Sequence, residues 1–328
     1  MERHTTSRAA VVSRRDFLRL GAAAVALGPA GALSAADGAE APPDLLIGYT
    51  EFRTDLPGGR YVNVWTMRAA VVKADGTGRR VLAEELTREA GSWTQFVGWS
   101  PDGKATKQSP ALDKKKSELI KNLVHGMSLS PDGKRSAFED PGYRLYLADA
   151  DGSNPKQVKT GLRFHLMPSW SPDGSWVLFV AGEHYDCHPH VIKADGTGLK
   201  KLASRNGYRG VIDFLDVYDF HDGSSDLPVW AADGTSVFYT AKVQRNVELF
   251  RVTLDGKSEQ LTDMPAGSMH YHPQPSPDGK WLLYGSKRDG VRQLYLRRLE
   301  EKKERRLTDL AKGHAAMWPH WQPGTNKP

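Results

Sequence analysis

Histidines 270 and 272 flank Tyr271 in MHYHPQPSPDGKW (269–281), and GEHYDCHPH (182–190) brings His184, His188 and His190 close together. Imidazole nitrogen is the commonest protein ligand for borderline divalent metals, and rings two apart on a strand point to one side. An HxH pair can therefore present both rings to one ion. RNGYRGVIDFLDVYDFHDGSSD (205–226) adds His221 beside Asp219 and Asp222. This chemistry reads as a metal or acid–base site. His270 and His272, with at least one of His184, His188 and His221, would hold a divalent cation (manganese, calcium or zinc), and a carboxylate would complete the shell. The plain alternative is a set of loop histidines making ordinary hydrogen bonds. His320, between Trp318 and Trp321, reads as a packed structural histidine, His190 as the start of a strand, and Cys187 as a small buried thiol.

The elements that must position these residues come from a repeat. WSPDGK (99–104), LSPDGK (129–134), WSPDGS (170–175), WAADGT (230–235), PSPDGK (275–280) and a worn WQPG (321–324) recur at spacings of 30, 41, 60, 45 and 46 residues. About twenty residues after a turn comes a second one: VVKADGTG (71–78), YLADADGSN (146–154), VIKADGTG (191–198) and RVTLDGK (251–257). Alternating apolar residues between Asp-Gly turns predict four short antiparallel strands per unit, with Pro setting φ in the first turn. Such a series predicts an all-β propeller with four strands per blade. MWPHWQPG supplies an inner strand with nothing after it. LLIGYTEF, RAAVVKADG and RRVLAEE supply strands lacking an inner one, so the last blade is expected to be closed by both termini. Residues 104–129 are too short and too charged for three good strands, which predicts one degenerate blade, incomplete or partly helical.

Phase assigns the faces. Six residues before the repeat Ser stand Thr94, Val124, His165, Ser225, His270 and Ala316; four before stand Phe96, Gly126, Met167, Leu227, His272 and Trp318. This register puts His270 and His272 at the channel mouth, on one side of a strand. The 182–190 and 205–226 segments are expected as long loops on the same rim, where connectors usually need about 2–6 residues. Seven of the eleven histidines fall near it: 165, 184, 188, 221, 270, 272 and 320. Trp93, Trp99, Trp170, Trp230 and Trp321 read as core, while Trp318 could stack on a sugar ring.

These turns in phase resemble the TolB-type, WD-like propeller repeat family over about 45–323. The resemblance implies six blades around a central channel. The HxHP run before SPDG is similar to the oligogalacturonate-lyase branch of that family, in which channel histidines hold a divalent metal that neutralises a uronate carboxylate. Carried over, this implies His270, His272 and His188 as metal ligands, Arg209 as base or carboxylate anchor, and Tyr185 or Tyr271 as acid. The implied function is a metal-assisted lyase on acidic oligosaccharides. A noncatalytic propeller binding a glycan or an envelope protein is the other reading.

SRRDFLRL (13–20) followed by GAAAVALGPAGALSAA resembles a twin-arginine export signal, too short and Gly/Ala-rich for a good membrane span. The expected organisation is an export signal over 1–36, a linker over 37–44, the propeller over 45–324 and a tail over 325–328, with the mature chain a periplasmic or extracytoplasmic monomer. Five arginines against Glu2 and Asp16 give the signal about half of the net charge of +6. The remaining near-balance gives no electrostatic case for nucleic acid. One cysteine excludes an intrachain disulfide. No G-x-S-x-G elbow and no phosphate loop leading into a helix are present, which removes serine-hydrolase and nucleotide readings.

Overall fold

A computed structural model describes residues 42–57, 65–88, 92–100, 102–108, 127–210 and 226–324. Three strands come first, β1 (Leu46–Arg53), β2 (Arg68–Lys73) and β3 (Arg80–Val81), followed by a 3₁₀ turn at Glu84–Thr87. Blade 1 contributes β4 (Gln95–Trp99) and β5 (Ala105–Gln108). Blade 2 holds β6 (Ser128–Leu129), β7 (Arg135–Glu139), β8 (Leu145–Asp149) and β9 (Lys156–Gln157). Blade 3 holds β10 (Phe164–Trp170), β11 (Trp176–Glu183), β12 (Asp186–Lys193) and β13 (Lys200–Lys201). Blade 4 holds β14 (Val229–Trp230), β15 (Ser236–Val243), β16 (Asn246–Thr253) and β17 (Ser258–Gln260). Blade 5 holds β18 (His270–Pro275), β19 (Trp281–Ser286), β20 (Gln293–Arg298) and β21 (Glu304–Arg306), and β22 (His314–Trp321) ends the series.

The fold is the expected all-β, six-bladed propeller. Blades 2 to 5 are four-stranded antiparallel meanders, and β22 pairs with β1 to give a sixth sheet in the order β22-β1-β2-β3. Both ends of the domain thus close one blade. In blade 1 the described residues form a two-stranded sheet. Residues 109–126, where a degenerate blade is expected, lie outside the described residues, as do the segments expected as export signal and tail, most of the expected linker, and His221 with Asp219 and Asp222.

The repeat turns explain why these residues make hairpins. In blade 3 the Ser171 hydroxyl donates to Asp173 Oδ1 at 2.5 Å and accepts the Trp176 N–H at 2.9 Å, while Gly174 takes φ 73°, a region costly for residues with a Cβ. Blades then pack face to face through apolar clusters. Trp170, Val177 and Phe179 meet Ala137, Leu145 and Leu147 between blades 3 and 2, and Trp281, Leu283 and Leu294 meet Ile47, Tyr49 and Val72 between blades 5 and 6.

A ring of tryptophans ties inner strands together. The indole N–H donates to a carbonyl of the preceding blade's inner strand from Trp99 to His320 (3.1 Å), Trp170 to Ser128 (3.0 Å), Trp230 to Ser169 (3.1 Å) and Trp321 to Gln274 (3.1 Å). The aligned position is Leu129 in blade 2, 53% exposed, and Pro275 in blade 5.

Segment 182–190 is not the expected long loop. β11 and β12 pair through Glu183–Asp186, leaving His184 and Tyr185 as a two-residue turn. The strands persist because Cys187 packs among Phe164, Leu166 and Val180, and the His190 ring stacks on Phe179.

Candidate functional site

The inner strands share a bulge that builds the rim. Pairing shifts register between Leu166 and Ser169 in β10, between Tyr271 and Gln274 in β18, and where β22 passes Trp318 and Pro319. In each the residue before a proline takes a positive φ: Met167 at 52°, His272 at 50° and Trp318 at 52°. An extra residue in one strand re-aims side chains, and left-handed φ at a residue with a Cβ is strained backbone held by its surroundings. His272 and Trp318 come together here, with ring centroids 6.2 Å apart, and Trp318 stacks on Phe52 at 6.0 Å.

The bulge separates the two histidines of HYH, against the expectation that they share a side. His270 is 0% exposed; its ring meets Tyr284 edge-on at 5.3 Å and Nε2 lies 3.4 Å from Glu248 Oε2. Neither ring nitrogen of His270 makes a hydrogen bond among the described residues. Desolvation pushes its pKa down despite Glu248. Glu248 is itself held by donors from its own blade: Asn246 Nδ2 at 2.9 Å, the Met264 N–H at 3.1 Å and the Thr262 hydroxyl at 2.5 Å. Burial would raise its carboxyl, but the His270 and Thr262 contacts hold it low.

His272 faces a different carboxylate. Its Nδ1 lies 3.3 Å from Asp226 Oδ1, with side-chain exposures of 12% and 3%, and its backbone N–H donates to the same oxygen at 2.7 Å. The Thr240 hydroxyl donates to Asp226 Oδ2. Buried Arg205 donates from Nε to the Thr240 carbonyl at 3.2 Å and from Nη2 to Thr240 Oγ1 at 3.4 Å. Burial pushes the Asp226 pKa up, yet the His272, Arg205 and Thr240 interactions together leave it below the ordinary value. This chain of groups crosses blades 3, 4 and 5.

The other candidates are distributed. His188 is buried, with Nε2 3.1 Å from Asp186 Oδ1 and Nδ1 accepting the Arg205 N–H at 3.3 Å. His184 is exposed at the β11–β12 turn, edge-on to Tyr185 at 4.1 Å. His165 is buried with Nδ1 2.8 Å from the Tyr143 carbonyl and Nε2 against the Thr160 hydroxyl, a structural link between blades 2 and 3. His190 and His320 are both pushed down to about 4, mainly by desolvation. Tyr271 is buried, its pKa raised by burial, and its hydroxyl donates to the Ala316 carbonyl at 2.8 Å. Arg209 is exposed just beyond the Arg205 corner. Among the described residues no three His, Cys, Asp or Glu side chains stand together in a way that could hold a metal ion.

Sequence reasoning passed over Asp226, Thr240, Arg205 and Glu248. Asp226 had little signal: five residues before the repeat Ser the blades place the buried Leu166, Tyr271 and Met317, but also Gln95 and His125, so a polar residue in that register does not stand out.

Comparison with known proteins places these features in context. The TolB beta propeller domain matches residues 132–327, more than half of the chain. An uncharacterized protein of Agrobacterium fabrum is 24% identical over 254 residues, 69% of this chain and 80% of its own length. The Tol-Pal system protein TolB of Thioalkalivibrio sulfidiphilus is 35% identical over 65 residues, covering 20% of this chain and 15% of that protein. Among solved structures, a putative TolB from Agrobacterium tumefaciens aligns at a TM-score of 0.44 and 17% identity, over 82% of this chain and 72% of that one. An oligogalacturonate lyase in complex with manganese aligns at a TM-score of 0.41 and 15% identity, over 73% and 70%.

Proposed function

The chain belongs to the TolB beta propeller family, and on that premise we propose that it is an exported propeller that binds an acidic oligosaccharide at its channel mouth. The observation that carries this reading is the meeting of Trp318 and His272 on adjacent inner-strand bulges, with the buried Asp226 carboxylate behind the imidazole. An aromatic face beside a fixed polar group is what a sugar ring needs, with C–H faces against the indole and hydroxyls on the imidazole. The SRRDFL run supports export.

In its catalytic form the site is a lyase assisted by a divalent cation. Support for that form is the histidine density of the rim, which counts His221 and the neighbouring carboxylates beside His272, His184 and His188. The described residues do not fill a metal shell by themselves. Arg209 and Tyr185 stay candidates for contact with a uronate carboxylate and hydroxyl in that form.

The test is calorimetric titration of natively exported protein with oligogalacturonates, paired with its metal content. Binding that weakens tenfold or more in both Trp318→Ala and His272→Ala is the expected result. Stoichiometric metal together with release of unsaturated sugar would establish the lyase form. Failure of the wild-type protein to bind any oligosaccharide overturns the reading in favour of a noncatalytic platform for an envelope protein.

A further inference from the structure

We propose that Lys287 and Arg292 form a carboxylate clamp at the rim between blades 5 and 6, which holds the acid group of the ligand whose sugar ring lies on Trp318. This deepens the ligand-site reading and rests on it for the sugar; the clamp is what makes the site select an acidic sugar over a neutral one.

The pair is set by register. β19 and β20 match Ser286 with Gln293, so Lys287 and Arg292 are the next opposed positions as the hairpin opens. Alternation along the strands puts both on the face of Leu283 and Leu294, which packs against Ile47 and Tyr49 of blade 6. The backbone at each position is tied to the cluster around Trp318. The Lys287 N–H donates to the Met269 carbonyl at 2.8 Å, the Ala316 N–H donates to the Arg292 carbonyl at 2.9 Å, and Arg292 bridges to Ala315. Met269 and Ala315 pack with Phe52, Tyr271 and Trp318. The hairpin's other charges go elsewhere: Arg288 donates from Nη2 to Glu304 at 2.6 Å, and Asp289 accepts the Tyr295 hydroxyl at 3.1 Å.

Packing does not call for two cations here. The matching pair is Gly182 with Cys187 in blade 3 and Lys242 with Val247 in blade 4, and Cys187 and Val247 are each 1% exposed. Arg292 takes their place at 8% exposure, opposite a half-buried lysine. Like charges directly opposite across a strand pair are destabilising, and a buried charge costs desolvation. Burial pushes the pKa of both groups down, and Arg292 pushes that of Lys287 further. A bound carboxylate offsets both effects, because it sets a negative charge against two positive ones and accepts from the planar guanidinium and the ammonium together.

The test titrates the natively exported full chain with oligogalacturonates and with the same oligomers after their carboxylates are reduced to primary alcohols. Wild-type protein should prefer the acidic oligomer about tenfold or more, the worth of a charge-assisted contact. Lys287→Gln should bring this preference close to parity, and Lys287→Arg should keep it. Equal binding of both oligomers by the wild-type protein, or a preference unchanged in Lys287→Gln, overturns the clamp and leaves a sugar site at Trp318. Binding of neither oligomer is the failure of the ligand-site reading itself, and the clamp falls with it. Should Lys287→Gln fail to fold, acetylation of Lys287 in the wild-type protein, read by mass spectrometry, decides. Protection by the acidic oligomer alone supports the clamp; equal labelling with and without that oligomer overturns it.

Discussion

At the scale of single residues, the two histidines of HYH have opposite characters. His270 is a buried ring with unbonded nitrogens against a carboxylate that already has three donors. Replacing this ring by an apolar one of like shape removes unbonded nitrogens but also the contact that helps hold the Glu248 carboxyl low, so His270→Phe should cost about 1 to 2 kcal/mol. Glu248→Ala strands Thr262, Asn246 and the Met264 N–H and should cost about 3 kcal/mol. Denaturant melts of both variants check the contrast, and near-equal losses would refute it. The residue scale is also where the sequence was hardest to read. His272 was visible by its phase, but its partner Asp226 was not, because the same register also holds Gln95 and His125 in other blades. Glu248 gave no signal at all, because its meaning depends on Thr262, fourteen residues away across a strand pair.

At the scale of elements, the repeat was legible because turn chemistry is local. Ser, Asp and Gly in SPDG make their hydrogen bonds within five residues, so the hairpins can be read from the chain directly. The bulges could not be read that way. An x-Pro pair inside a strand announces a disturbed ladder, but which neighbour the displaced side chain meets depends on the next blade. The 182–190 segment was misjudged for a related reason: His184 and His188 look like loop residues, yet β12 buries His188 on strand beside His190, which was expected there. Inter-blade ties belong to this scale too. Trp230→Phe keeps an aromatic ring but removes the indole N–H to Ser169 and part of a buried ring system, and should cost about 2 to 3 kcal/mol. A loss near zero in thermal melts would mean the tie is replaced by solvent.

At the scale of the whole molecule, stability is coupled to pH through buried imidazoles. His190 and His320 are held near 4 in the folded protein, against an ordinary value of about 6.5. On acidification the unfolded chain takes up these protons first. Stability is therefore full above about pH 6.5 and declines toward pH 4, by up to about 1.4 kcal/mol per pH unit for each ring. The depressed values of His165, His188 and His270 act with the same sign. The melting temperature should fall steadily between pH 7 and 4, and His320→Asn should flatten that slope; a melting temperature constant over this range would contradict it. The closing blade has a consequence of its own. β1 to β3 precede the other five blades in the chain, yet their inner partner β22 follows all of them. Until β22 has emerged, the earliest part of the domain carries an unpaired edge, and every intervening blade must be laid down before that edge is covered. The domain must be built as an open arc, and becomes a ring only when β22 reaches β1.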